Sequence, residues 1–237
     1  MSEHFRAFSF VDRITSVEPG VSISGEYYIP GGITSFPGSL VVESLGQLAA
    51  WSAMAKIDFQ FRPVAGIAGG IHYLSPESPG PGQTLQLTAQ LEQSDEEAVS
   101  YGGTVKVDGQ KVLRLENCLG PMVPMTDYDD PQAMQDRYDL ICSDGAGPNA
   151  FEGVPEFPLT QNEEESVFGE IAVATFSVPE SAPFFGDHFP RNPVFPGTLL
   201  MDMNQKISEA LASEIPTDQS GHIWKVSHMA NVKIRAF

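Results

Sequence analysis

HFPRNPVFPGTLLMD, running from His188 to Asp202, decides how the rest of the chain is read. It sets one histidine among prolines, turns through Pro196-Gly197 and enters an apolar, helix-like run carrying a single carboxylate. A Pro-Gly turn ahead of a helix exposes the first backbone N–H groups of that helix. An altered copy stands near the N-terminus. At an offset of 159 residues SFPGSLVVES (35–44) lies on VFPGTLLMDM (194–203), with Phe36 on Phe195, Gly38 on Gly197, Ser39 on Thr198, Leu40 on Leu199 and Glu43 on Asp202. The strand–helix–strand order around the two copies repeats as well, so the chain reads as an internal duplication.

Working outward, FSFVDRI and VSISGEYYI alternate as strands around a Glu-Pro-Gly turn. Gly38 to Lys56 is a helix, apolar on nearly every face and therefore expected to be buried. GIAGGIHYL, QTLQLTAQLEQ, AVSYGGTVKVDG and QKVLRLENCLG follow as strands, the last two joined by a VDGQK hairpin turn. Long antiparallel strands after one buried helix predict an α+β layer with the sheet wrapped around that helix. Residues 126–165, rich in Pro, Gly and acidic residues with one short helical piece (QAMQDRYDLI), read as a linker. After it VFGEIAVATFSV is expected as a strand, Gly197 to Ile215 as a second helix, and IWKVSHMANVKIRAF as a final strand. The expected organisation is thus a first unit over 1–125, the linker, and a second unit over 166–237.

Composition narrows the function classes. A net charge of −18 argues against a nucleic-acid backbone as partner, since such binding needs clustered Lys and Arg. From His188 onward the balance is different: five basic residues (Arg191, Lys206, Lys225, Lys233, Arg235) face four acidic ones (Asp202, Glu209, Glu214, Asp218). An acidic partner could meet that half. No apolar run approaches the roughly 20 residues of a membrane helix. MSEHFRAFSF has no basic segment leading into an apolar one, and the expectation is a cytoplasmic protein. Cys118 and Cys142 read as two free thiols. His72, His222 and His228 have no second ligand at metal spacing, and no GxSxG elbow, Walker motif or dinucleotide fingerprint is present.

The segment His188-Phe-Pro-x-x-Pro-x-x-Pro-Gly197 followed by Asp202 resembles the active-site segment of bacterial 3-hydroxyacyl-(acyl-carrier-protein) dehydratases, and FVDRI with VEPG is similar to their opening strand. The resemblance implies the hotdog fold, a long helix wrapped by a curved antiparallel sheet, with the active unit a pair of hotdogs. Two copies in one chain look like the double-hotdog form found alone or within fatty acid, polyketide and polyunsaturated fatty acid synthases. It also implies no metal or dissociable cofactor, a substrate carried on the phosphopantetheine of acyl carrier protein or on CoA, and acyl carrier protein as partner. A homodimer of double hotdogs and membership of a larger synthase stay open.

The chemistry of dehydration asks for three things. A base titrating near neutrality must remove the proton beside the thioester carbonyl, which suits imidazole. A carboxylic acid kept protonated by an apolar setting must protonate the departing hydroxyl. Fixed N–H donors must stabilise the developing oxyanion, and a helix N-terminus supplies them. His188, a helix carboxylate and the Gly197 amide are the candidates. In the resembling family histidine and acid come from opposite hotdogs, which makes Glu43, 145 residues away, the expected partner of His188, with Asp202 the alternative acid.

The pattern of loss agrees. Under the helix alignment Ile29 stands where a first-half histidine would be, and aligning YYIP with FSVP instead removes about ten residues, the histidine loop itself. Gln47 follows Glu43 by four positions and can orient it, whereas Asp202 is followed by Lys206. One live site (His188, Gly197, Glu43, Gln47) and one dead one (Ile29, Asp202) are expected, with Phe195, Leu199 and Leu40 lining an acyl tunnel. Only 40 residues follow Gly197, against 87 between Gly38 and Met125, so the second hotdog is expected to be incomplete and the chain a piece of a longer polypeptide. A hotdog thioesterase and a non-catalytic acyl-carrier-binding scaffold are the competing readings.

Overall fold

A computed structural model describes residues 5–147, 151–215 and 223–234. In chain order its elements are β1 (Arg13–Glu18), β2 (Ser22–Tyr28), α1 (Gly38–Lys56), β3 (Phe61–Pro63), β4 (Ile67–Tyr73), β5 (Thr84–Ser94), β6 (Ala98–Val107), β7 (Gln110–Pro124), α2 (Met125–Tyr128) and α3 (Pro131–Cys142). There follow β8 (Thr160–Gln161), β9 (Ala174–Thr175), α4 (Gly197–Ser213) and β10 (His228–Lys233). His222, with Asp218 and Arg235 of the charge balance, lies outside the described residues.

The main sheet is antiparallel in the order β1-β2-β5-β6-β7-β4-β10, with β3 on β7, and it wraps α1. This is the hotdog architecture. Helix α1 forms because its residues are good helix formers without Pro, and it is central because Leu40, Val41, Leu45, Leu48, Trp51 and Met54 leave no face for water. It stops where Asp58 and Phe59 take left-handed backbone angles and the Phe59 amide returns to the Met54 carbonyl. Lys56 in its last turn donates to the Ser94 carbonyl at 2.7 Å, a cation at the negative end of the helix dipole. Close approach of sheet to helix requires glycine at 103, where a Cβ would stand 2.4 Å from the Thr88 carbonyl oxygen and 3.2 Å from the Leu45 side chain. The β6–β7 hairpin turns through Asp108 and Gly109, both with positive φ, the signature of a type I′ turn.

The second half joins the first in two places. Helix α4 packs on α1, and β10 adds to the sheet edge beside β4. The pairing is pseudo-symmetric. The 159-residue offset relates Gly70 to Met229 and Ile71 to Ala230. The ladder pairs them crosswise, Gly70 with Ala230 and Ile71 with Met229, as two equivalent strands meeting across a two-fold axis must. His72 and His228 stack on each other there at 4.4 Å, with His72 Nε2 3.0 Å from Glu116, a packing role for both.

Two expectations change. VFGEIAVATFSV is not one strand: the chain turns at Gly169, whose positive φ breaks the extension and whose amide is taken by Glu214 beyond α4, and β9 alone pairs with β8. The segment expected as a linker is in its first part folded onto the first unit. Helix α3, capped by Asp130 and started by Pro131, buries Met134 and Ile141 in the common core, where Met125 also sits. Its low apolar content hid this, since two or three buried residues suffice to dock a short helix.

The Gly103 contact yields a stability test. Gly103→Ala should destabilise the protein by about 1–3 kcal/mol through overpacking. Gly32→Ala, with open space around it, should cost much less in the same urea titration.

Candidate functional site

The carboxylate of Glu43 and the imidazole of His188 line one cavity of about 230 Å³ between the two halves. Glu43 comes from the first half, on α1. Its Oε1 accepts from Gln47 Nε2 at 3.0 Å, one helical turn on. Its Oε2 accepts from Thr198 Oγ1 at 2.9 Å, so a residue of the second half holds the acid of the first. Gln47 is itself fixed, its Oε1 taking the Phe10 amide at 2.8 Å and its Nε2 also reaching the Phe8 carbonyl at 3.0 Å. Burial pushes the Glu43 carboxyl above its ordinary range, opposed by the Gln47 and Thr198 hydrogen bonds and by the nearby Arg62 cation. Burial is the largest influence, so the Glu43 carboxyl holds its proton more tightly than an ordinary glutamate does.

His188 comes from the second half, in the loop before α4. Its Nδ1–H donates to the Val194 carbonyl at 2.7 Å, which settles the tautomer and leaves Nε2 with a lone pair. Burial pushes the imidazole down to about 4; the Val194 bond works against this and Arg62 adds to it. The ring is therefore neutral at pH 7, the form that accepts a proton. Phe8 and Phe189 stand edge-on to it at 5.3 and 4.5 Å between centroids.

The loop bearing His188 is pinned from three sides. Asp187 accepts the Phe8 amide at 2.7 Å together with that of Ala7. Arg191 donates to Asp130 at 2.7 Å and to the Thr126 carbonyl at 2.9 Å. Arg62 of β3 bonds the buried Asp129 at 2.8 Å and lays its guanidinium over the Phe189 ring at 4.3 Å.

Gly197 and Thr198 open α4 at the cavity wall, and their amides have no hydrogen-bond partner among the described residues. A Cβ at 197 would stand 2.5 Å from Ile234 Cδ1, so a side chain there would require the Ile234 side chain to shift. Of the expected tunnel residues Phe195 lines the cavity, whereas Leu40 and Leu199 turn into the hydrophobic core. The helical phase explains this: wall positions fall at Val42 and Gly46 on α1 and at Leu200 and Met201 on α4.

The pseudo-symmetric counterpart is a separate cavity of about 590 Å³ lined by Gly38, Tyr73, Asp202 and Lys206 among others. Asp202 is bound there by Lys206 at 2.7 Å. Ser39, counterpart of Thr198, has a buried hydroxyl with no partner among the described residues, so the bond that holds Glu43 has no equivalent. Ile29 is packed in the core, away from this cavity's wall.

Sequence reasoning missed Thr198 as a partner of Glu43, although the hydroxyl after Pro-Gly was visible in both copies. It also missed Arg62, Asp129 and Tyr101, which line the cavity from β3, the turn after α2, and β6. No spacing pattern links those three, and only the fold assembles them.

No helix among the described residues is long and apolar enough to cross a membrane. No curated protein matches the chain. The structure is similar to the dehydratase heterocomplex ApeI:P from Xenorhabdus doucetiae, at 13% identity over 48% of this chain and 83% of that one, with a TM-score of 0.38. It is also similar to zebrafish thioesterase superfamily member 2 (13% identity, 46% and 78% covered, TM-score 0.35). A third similar structure is smu.793 from Streptococcus mutans bound to acetyl CoA (18%, 50% and 93%, TM-score 0.38).

The neutral buried histidine makes stability depend on pH. Its folded pKa lies below the unfolded value of 6.5, so the unfolded chain binds the extra proton between these values. His188 therefore contributes a loss of stability as pH falls from about 6.5 to about 4, on the order of 3 kcal/mol in all. Urea melts of the wild type and His188→Gln should show the variant losing less over that window.

Residues 161–237, the third of the chain that carries His188, Gly197 and Thr198, match the family model of the ApeI-like dehydratases, described as ApeI dehydratase.

Proposed function

We propose that the protein removes water from a 3-hydroxyacyl thioester, carried on acyl carrier protein, to give a 2-enoyl thioester. One observation carries the reading: a neutral imidazole with a free Nε2 and a carboxyl whose hold on its proton is strengthened by burial face the same small cavity from opposite halves. In the proposed step His188 Nε2 takes the proton from C2. The electron pair of that C–H bond becomes the C2=C3 double bond as the C3–O bond breaks, and Glu43 gives its proton to the departing oxygen, releasing water. The proton on His188 then returns to Glu43. The Gly197 amide meets the charge that gathers on the thioester oxygen, and Gln47 with Thr198 keeps the Glu43 carboxyl aimed. The acyl chain lies against Phe195, Leu200 and Met201.

A hotdog thioesterase would activate water with its carboxylate. Here the carboxyl is biased toward its protonated form, which favours acid over base. The scaffold reading gives no use for two oppositely tuned groups in one cavity.

Hydration of a crotonyl thioester, the reverse reaction, tests this. Loss of enoyl absorbance is expected, and release of free thiol would make the protein a thioesterase instead. Neither change would mean a scaffold. Glu43→Gln should lower turnover about 10²–10⁴-fold, the usual worth of a general acid. Asp202→Asn should leave most of it, because Asp202 stands at the other cavity.

A further inference from the structure

Arg62 is an unexpected cation beside the paired groups. It sits on β3, pairs through its strand with Val123 of β7, and lines the cavity shared by Glu43 and His188. An arginine serving only to neutralise a buried acid tends to grip it with both arms of its fork. Here one Nη bonds Asp129 at 2.8 Å, Nε is buried without a partner among the described residues, and the flat face covers the ring of Phe189. Phe189 adjoins His188 and holds a positive φ of 63°, a costly conformation for a bulky residue that its surroundings must enforce. Tyr128 meets the same ring edge-on at 5.4 Å.

We propose that Arg62, anchored by Asp129, is a positioning residue that seats the His188 loop through Phe189 and fixes a positive charge beside the imidazole. This rests on the dehydratase reading of the cavity for its effect on turnover, though not for its effect on the histidine. The charge acts in a defined company. Glu43 faces the site from α1, Asp129 from the turn after α2, Arg137 of α3 lies within electrostatic reach of Asp187, and Asp187 and Arg191 belong to the histidine loop itself. Arg62 is a cation that acts on both members of the pair, adding to burial in disfavouring protonation of His188 and opposing protonation of Glu43. It therefore limits how far burial alone raises the acid while helping the base stay free.

The test removes the ion pair together, as Arg62→Met/Asp129→Asn, so that no lone charge stays buried. Histidine NMR, with His188 assigned by comparison with His188→Gln, should show the His188 midpoint above that of the wild type. The kcat for crotonyl-thioester hydration should fall at least tenfold with KM little changed. An unmoved midpoint would overturn the proposal, as would an unmoved kcat in an active protein. Phe189→Leu serves if the double variant fails to fold: it keeps the ion pair and should still lower kcat, and unchanged turnover there would overturn the seating role. If the wild type hydrates nothing, the dehydratase reading fails and the NMR midpoint alone decides the role of Arg62.

Discussion

The site depends on one hydrogen bond that crosses the duplication: Thr198 of the second half donates to Glu43 of the first. A carboxyl inside an apolar groove is costly unless its oxygens are satisfied. Gln47 satisfies one oxygen from the same helix, but the second requires α4 to arrive with its hydroxyl at its first turn. Docking of the two helices and completion of the acid are therefore the same event. The contrast within the molecule makes the point. At the equivalent position the Ser39 hydroxyl has no partner among the described residues, and Asp202 turns to Lys206 beside a cavity that no described histidine lines.

Asymmetry follows from that constraint. Each ancestral half of a hotdog pair would supply both a histidine and an acid, and two sites would result. Here the first half carries the acid with its glutamine and no histidine loop, while the second carries the loop and has lysine where the first has glutamine. A single composite site concentrates the requirement for correct burial in one place. The other cavity carries the Lys206–Asp202 and Lys225–Glu209 ion pairs instead. The segment between the halves is drawn into the same site, since Asp129 and Asp130 hold the two arginines that brace the histidine loop.

Much of this was legible in the sequence, for identifiable reasons. Helix α1 could be bounded to the residue because a largely apolar, proline-free run between Pro37 and the polar Asp58 has few alternatives. The strands of the first sheet were legible from alternation, and the relation of Glu43 to Gln47 from helical spacing. The tunnel wall was misplaced because Leu40 and Leu199, at matched positions, were assumed to face the ligand, whereas helix phase sends them into the core. The 167–178 segment deceived because its β-branched residues suit a strand, while Gly169 and the Glu214 contact, distant in sequence, decide against it. Arg62 and Asp129 were silent because buried ion pairs leave no periodic trace. Thr198 was visible as a helix start, but its partner lies 155 residues away.

In the proposed reaction a single substrate touches His188 and Glu43 at once. A crystal structure with a non-reactive 3-hydroxyacyl-pantetheine amide measures this directly. The account requires C2 of the ligand beside His188 Nε2, the 3-hydroxyl on the Glu43 carboxyl and the carbonyl oxygen at the Gly197 amide. A ligand bound instead in the cavity beside Asp202 and Lys206, or one reaching His188 with Glu43 out of its range, would contradict it.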